Sequence, residues 1–227
     1  SRYGLTPARM DGALQLFART LAQFGCGASI PITAITLKRN TEVVSKYLGQ
    51  NIEFAVHGYT HIDYSRLPSE EQLVHLQLAR QVFQERGVSG VGFRSPYLRQ
   101  NAGLYHAIVA VGFAYASNQP ILWNAVDFGA STPATCADYE RAIAFYTPWL
   151  ASQRLSVPRL QGPLVEIPVS LPDDEILVER LGGATTGLLE SSWLSILSQT
   201  YQRGELFTLQ LHPERIAASR QALAAVL

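Results

Sequence analysis

Two histidines four residues apart, His57 and His61, end the apolar stretch Ile52–His61. Residues 52–57 have strand character, and Gly58 then allows the chain to turn. A strand that ends in histidine points an imidazole off the edge of a sheet, and such a turn brings the second imidazole beside it. Two neighbouring imidazole nitrogens are the first ligands of a zinc site or a site for another divalent metal. Because histidine pairs at this spacing also arise by chance, a pair of structural histidines is the alternative.

Two further side chains with useful chemistry end strand-like runs. Arg94 precedes Ser95 and Pro96, and the proline favours an extended backbone that holds the guanidinium at the strand mouth. A guanidinium placed there orients a carboxylate or binds a substrate oxygen; a surface ion pair is the alternative. His212 ends a later run, and its near-neutral pKa suits a general acid. The alternative interpretation of His212 is a histidine without a catalytic role that precedes a helix beginning at Pro213.

Carboxylates lie close to two of these positions. Asp63 follows the histidine pair and is a candidate acceptor for an imidazole N–H, with a solvated loop carboxylate as the alternative. Asp173, Asp174 and Glu175 follow another strand-like run, and Asp174 is our candidate catalytic carboxylate. The same three residues would also stabilise a helix N-terminus, which is the non-catalytic interpretation.

The segment between residues 118 and 135 is rich in turn residues and indicates a long functional loop. Within it, Trp123 and Asp127 are candidate substrate-binding residues that would form a wall for a sugar. Tyr97, next to the arginine–proline motif, is a third candidate for substrate binding.

Alternating strands and helices would position all of these residues. Apolar periodicity and turn residues predict a parallel sheet with helical crossovers. Thr6 and Pro7 form a good helix start, as N-cap and first helical residue. The predicted strands are a strand within 27–37 and strands at 52–57, 91–94, 113–117, 164–172 and 206–211; the predicted helices are 7–24, 41–48, 69–86, 101–111, 136–154, 173–181, 186–203 and 214–227.

Composition narrows the class of protein. The chain has 227 residues, of which 47% are hydrophobic and 16% charged, and its formal net charge is zero. We therefore expect a single globular α/β domain over residues 1–227, without nucleic acid as a partner and without a membrane span. No signal peptide is visible in these residues, and a cytoplasmic location is favoured. Cys26 and Cys136 are too few for a disulfide framework.

The chain resembles the NodB-type polysaccharide deacetylases, carbohydrate esterase family four, in three motifs that occur in the same order. These are a strand followed by HxxxH, a strand followed by RSPY, and a strand ending in QLHP. The resemblance covers nearly the whole chain. It implies a distorted, incomplete (β/α) barrel and a metal-dependent hydrolase that removes an N-acetyl or related acyl group from a sugar or polysaccharide. It also implies that His57 and His61 hold the metal, that Arg94 orients the catalytic aspartate, and that His212 protonates the leaving amine.

The chain departs from this resemblance at its start. Family members carry an aspartate pair on the first strand, and Tyr3 and Gly4 stand about where that pair belongs. Neither residue can accept a proton at neutral pH or bind metal through its side chain. An upstream carboxylate, a substituting carboxylate or altered catalysis would each account for this. The alternative functions are therefore a metal-free amide or ureide hydrolase of the same fold and a carbohydrate-binding pseudoenzyme.

Overall fold

Strands and helices alternate along the chain, as predicted, in the computed structural model, which describes residues 6–129, 132–181 and 186–227. Tyr3 and Gly4 lie outside the described residues. The helices are α1 (Pro7–Gln23), α2 (Ala34–Arg39), α3 (Thr41–Ser45), α4 (Ser69–Glu85), α5 (Ala102–Val111), α6 (Pro133–Tyr146), α7 (Thr186–Arg203) and α8 (Ile216–Val226). The strands are β1 (Ala28–Ile32), β2 (Ile52–Val56), β3 (Gly92–Phe93), β4 (Tyr115–Ala116), β5 (Pro120–Leu122), β6 (Trp149–Leu150), β7 (Arg159–Gln161), β8 (Leu164–Glu166) and β9 (Val169–Leu171).

The described strands form two sheets that do not close into one barrel. The larger sheet has the order β1-β2-β3-β4-β8-β7, and the smaller has the order β6-β5-β9. All pairs are parallel except β7 with β8. The carboxyl ends of β2, β3, β4 and β8 therefore share one sheet edge. This arrangement confirms the predicted α/β fold with a distorted, incomplete barrel.

The strands carry apolar side chains on both of their faces, which explains why the parallel sheet forms. Four of the five β2 residues are buried, as expected for a strand covered by helices on both sides. The main core contains Phe54 from β2, Phe93 from β3 and Trp193 from α7. Thr6 caps α1 as predicted, because its Oγ1 accepts a hydrogen bond from the backbone N–H of Arg9 at 3.3 Å.

Several segments differ from the sequence-based prediction. Strand β5 (Pro120–Leu122) lies within the segment 118–135 that was predicted as a loop, and β6 (Trp149–Leu150) lies within the predicted helix 136–154. The predicted strand 164–172 is divided at Ile167 and Pro168 into β8 and β9, which belong to different sheets. Residues 206–211 are not a strand of either sheet, although the backbone N–H of Ser170 donates to the carbonyl of Thr208 at 3.2 Å. Residues Glu175–Arg180 form a π-helix, in which each hydrogen bond spans one more residue than in an α-helix.

None of the helices in the described ranges combines the length and apolarity needed to cross a lipid bilayer.

Candidate functional site

His57 lies directly after β2 with one ring nitrogen held by the backbone. Its Nδ1 is 2.7 Å from the carbonyl oxygen of Arg94, and because a carbonyl only accepts, Nδ1 carries the proton. Burial, followed by the neighbouring His61, lowers the pKa of His57 to about 3. The imidazole is therefore neutral at physiological pH, with its lone pair on Nε2. This is the state that a metal ligand or a hydrogen-bond acceptor requires.

A tight turn brings His61 beside His57, as the sequence predicted. Gly58 has a φ of 82°, and a Cβ there would lie 2.5 Å from the ring of Tyr64. The hydroxyl of Tyr64 accepts hydrogen bonds from two backbone N–H groups of this turn. The ring centroids of His57 and His61 are 5.0 Å apart, and the exposed ring of His61 also meets the ring of Tyr97 edge-on at 4.8 Å.

Arg94 follows β3 and reaches across the same edge. Its Nη1 donates to Oε1 of Gln210 at 2.5 Å, and its Nη2 donates to Oγ of Ser117, just after β4, at 2.6 Å. Gln210 in turn donates from Nε2 to Oδ2 of Asp173 at 2.6 Å. Burial lowers the pKa of Arg94 to about 10, and the guanidinium is still charged at neutral pH. Arg94 is thus connected to a carboxylate through an intervening amide.

Asp173 and Asp174 follow β9 and Pro172, and both are fully buried. Asp173 accepts a hydrogen bond from the backbone N–H of Ile176 at 3.0 Å, so it partly serves the helix-start role considered above. Asp174 instead binds His212 twice, accepting from the backbone N–H at 2.9 Å and facing Nδ1 at 2.8 Å. The structure therefore joins two predicted residues, Asp174 and His212, into one hydrogen-bonded pair.

The electrostatics of this pair are strongly perturbed. Burial by itself lowers the pKa of His212, but the hydrogen bond that His212 donates to Asp174 and the negative charges of Asp174, Asp173 and Glu214 outweigh it and raise the pKa to about 9. Burial and the charge of Asp174 raise the pKa of Asp173 to about 6. The carboxyl groups of Asp173 and Asp174 thus favour the protonated imidazole of His212, whose Nε2 also lies 3.5 Å from Oε2 of Glu175.

The residues present fit a divalent metal only in part. The two imidazoles of His57 and His61 suit such an ion, but catalytic zinc usually has three protein ligands. Across residues 6–129, 132–181 and 186–227, the one group of three or more potential ligand side chains is Asp173, Asp174 and His212, whose atoms lie within 4.8 Å of one another. Asp174 and His212 are already bonded to each other there. The histidine pair has no third side-chain ligand among these residues.

The candidate substrate-binding residues have different surroundings. Tyr97 lies at the site with a φ of 60°, a left-handed conformation that is costly for a tyrosine and is found most often at functional positions. Asp127 is exposed, and its Oδ1 accepts from the backbone N–H of Gly129 at 2.8 Å. Trp123 does not form an exposed wall: its ring is 1% exposed and lies 4.9 Å from the guanidinium of Arg203.

Asp63 also differs from its predicted role. Its Oδ1 accepts from the backbone N–H of Ser65 at 3.1 Å and from the Ser65 hydroxyl at 2.5 Å, and its Oδ2 lies 3.3 Å from Arg66. Asp63 therefore stabilises the turn after the histidines. A short-range turn of this kind competes with longer-range contacts to an imidazole.

Sequence reasoning missed Gln210 and Ser117. Thr208, Gln210 and His212 alternate with apolar residues in the extended segment 206–212, so Gln210 shares a face with His212. That alternation was a usable signal for Gln210. Ser117 offered no comparable signal, because its role depends on which strand lies next to β3.

Comparisons with known proteins agree with the fold and the motifs. Residues 11–116 match the family model described as polysaccharide deacetylase. A search of curated proteins finds no match.

Among solved structures, a protein from Mycobacterium smegmatis described as a polysaccharide deacetylase has a TM-score of 0.71 and 19% identity, over 94% of this chain and 68% of that one. The PuuE allantoinase has a TM-score of 0.71 and 16% identity, over 94% of this chain and 64% of that one. A Pseudomonas aeruginosa PAO1 protein described as a polysaccharide deacetylase has a TM-score of 0.65 and 19% identity, over 94% of this chain and 63% of that one. This chain thus spans about two thirds of the length of these structures. Residues 11–116 thus resemble the polysaccharide deacetylase family, and these solved structures share the fold of the chain.

Proposed function

We propose that this chain is a hydrolase that cleaves the amide C–N bond of an N-acylated sugar and releases an N-acetyl or related acyl group. The observation that carries the proposal is the bonded pair of Asp174 and His212 at the sheet edge that also holds His57 and Arg94. An amide resists hydrolysis chiefly because its nitrogen is a poor leaving group until it is protonated. A protonated histidine held by a buried carboxylate meets that requirement.

His212 is the proton donor in this proposal. With a pKa of about 9 it carries a proton on both ring nitrogens at neutral pH. Asp174 holds the Nδ1 proton, and Nε2, which lies 3.5 Å from Oε2 of Glu175, carries the proton that we assign to the departing nitrogen. As the C–N bond breaks, that proton passes to nitrogen and His212 becomes neutral.

Asp173 is the proton acceptor. Its pKa of about 6 makes it a carboxylate at neutral pH that is still basic enough to accept a proton from the attacking water. As the bond from water oxygen to the acyl carbon forms, Asp173 takes the released proton. The ligand atoms of Asp173 and His212 lie within 4.8 Å of each other, and one proton then passes from Asp173 to the neutral His212, which restores the starting state.

His57 and His61 would hold a divalent metal such as zinc. When bound, such an ion polarises a carbonyl and lowers the pKa of a coordinated water. The hydrogen bond from Nδ1 of His57 to Arg94 fixes the tautomer that offers Nε2 as a ligand. Metal dependence is part of the proposal, as are an acetylated sugar or polysaccharide as the substrate and substrate contacts from Tyr97 and Asp127.

Metal-free hydrolysis of a small amide or ureide is the second candidate. It is favoured by the lack of a third side-chain ligand beside the histidine pair within the described residues. The fold shared with a protein named as an allantoinase also supports it, and makes allantoin a suitable test substrate. In this case Asp173 and His212 would perform the proton transfers without help from an ion.

The deciding experiment measures acetate release from chitooligosaccharides and ring opening of allantoin by the purified chain. Each assay is run with zinc, with cobalt and with a chelator. We expect acetate release that depends on added metal, and its loss in the His212→Asn variant. His106→Asn, a change of the same kind at an exposed position of α5, is the matched control. Chelator-resistant turnover of allantoin would favour the second candidate. Sugar binding without turnover of either substrate would contradict both and favour a binding protein.

A further inference from the structure

Gln210 is placed between the arginine and one of the aspartates of the site. Its Oε1 accepts from Nη1 of Arg94 at 2.5 Å, and its Nε2 donates to Oδ2 of Asp173 at 2.6 Å. Arginine can only donate hydrogen bonds, so the orientation of the Gln210 amide is determined by its partner. The N–H group of Gln210 must therefore point at the carboxylate.

This arrangement supplies a hydrogen bond to Asp173 without placing a full positive charge against it. A directly paired guanidinium would lower the pKa of an aspartate by about 1–3 units, which would leave a weak base at neutral pH. Here the guanidinium of Arg94 is one side chain further away. Among the described residues, the other groups that act on the Asp173 carboxyl are the adjacent Asp174, His212, the phenol of Tyr146 on α6 and the backbone N–H of Ile176.

We propose that Gln210 is a positioning residue. Its amide N–H holds Oδ2 of Asp173 by a hydrogen bond, and its amide oxygen links the position of that carboxylate to Arg94. The inference rests on the proposed function, in which Asp173 accepts the proton of the attacking water. Both oxygens of Asp173 then receive one hydrogen bond each, from Gln210 and from the N–H of Ile176. These bonds favour the carboxylate form and direct its remaining lone pairs.

Two substitutions separate this role from simple packing. Gln210→Leu keeps a similar volume but removes both hydrogen bonds. Gln210→Glu keeps the shape and the bond from Arg94, but it can no longer donate to Asp173 and adds a negative charge beside it. Gln199→Leu is the matched control, because the Gln199 amide bonds only Asn124 and Ser195 among the described residues.

The first measurement is kcat/KM against pH for the substrate that the wild-type chain turns over. We expect the acidic limb of the profile, assigned to Asp173, to move upward by about one pH unit in Gln210→Leu. In Gln210→Glu it moves at least as far, and in Gln199→Leu it stays at the wild-type position. Wild-type acidic limbs in both Gln210 variants would overturn the proposal.

The second measurement does not need turnover. Carbon-13 NMR of the aspartate carboxyl groups in the intact chain follows the titration of Asp173 directly. A higher titration pH in Gln210→Leu or Gln210→Glu supports the coupling even if no substrate is hydrolysed, and in that case it is the proposed function that fails. An unchanged titration of Asp173 in a folded variant overturns the coupling. If the leucine variant does not fold, the isosteric glutamate variant decides.

Discussion

Replacing Asp174 by asparagine tests the proposed proton donor directly. Asp174 accepts two hydrogen bonds from His212, and a single amide oxygen cannot replace a carboxylate in both. The rise in the His212 pKa from its ordinary 6.5 to about 9 corresponds to roughly 3 kcal/mol in favour of the protonated ring. In Asp174→Asn that stabilisation is largely lost while the burial of the imidazole remains, so we expect the pKa of His212 to fall to 6.5 or below.

The consequence for activity follows from the protonated fraction. At pH 7.5 nearly all of the wild-type His212 carries its proton, whereas in the variant no more than about a tenth does. We therefore expect kcat/KM at pH 7.5 to fall at least about tenfold, and up to the 10²–10⁴-fold typical of a lost general acid if the ring also loses its orientation. The basic limb of the pH profile should move from near 9 to below 7. The acidic limb should move downward too, because Asp174 no longer raises the pKa of Asp173.

The assay pairs kinetics with a titration that is independent of turnover. Proton NMR of the His212 ring gives its pKa in the wild-type chain and in the variant. Asp138→Asn is the matched control, because Asp138 is an exposed residue of α6 whose partner Arg141 is also exposed. A His212 pKa that stays near 9 in Asp174→Asn would refute the reasoning, since some other group would then hold the proton.

Three further predictions follow from the same geometry. His61→Ala should reduce the zinc bound per chain, measured by elemental analysis, while the free energy of unfolding changes by less than about 0.5 kcal/mol, because the ring is exposed. Between pH 6.5 and 9 the free energy of unfolding, measured in urea, should fall by up to roughly 3 kcal/mol. The folded state holds the proton of His212 more tightly than the unfolded chain does, and it loses that advantage as the pH rises through about 9. A free energy of unfolding that stays constant over this range would contradict the raised pKa. Gly92→Ala should lower the melting temperature, at a cost of about 1–3 kcal/mol, because a Cβ would lie 2.0 Å from the ring of Tyr115. Gly12→Ala, in α1 with no atom within 4 Å of the added carbon, should instead be neutral or stabilising.

Local pattern determined the elements and several of the site residues. The apolar run before His57 and the glycine after it are enough to predict a strand, a turn and two adjacent imidazoles, because strand direction and turn geometry act over a few residues. Arg94 at the end of β3 follows from the same reasoning. The parallel sheet also follows, since strands that alternate with helices return in the same direction.

The partners of these residues depended on contacts between distant segments. Asp174 meets His212 across 38 residues of chain, and Arg94 meets Gln210 across 116. Sequence periodicity shows which face of a strand a residue occupies, but it does not show which strand lies alongside. Here β4 pairs with β8 rather than with β5, and that order carries β9 and the two aspartates to the histidine edge.

Trp123 is a residue whose burial could not be predicted from the sequence. Its surroundings in sequence are those of a surface loop, yet the ring is buried against Arg203 from α7. Burial removes the large apolar surface of an indole from water wherever a neighbouring element can cover it. The residues next to the tryptophan in sequence do not show where that element lies. The sequence by itself determined the strands, the turn and the two imidazoles. The tertiary structure decided the proton donor's partner, the amide between Arg94 and Asp173, and the burial of Trp123, because each depends on how separate elements pack together.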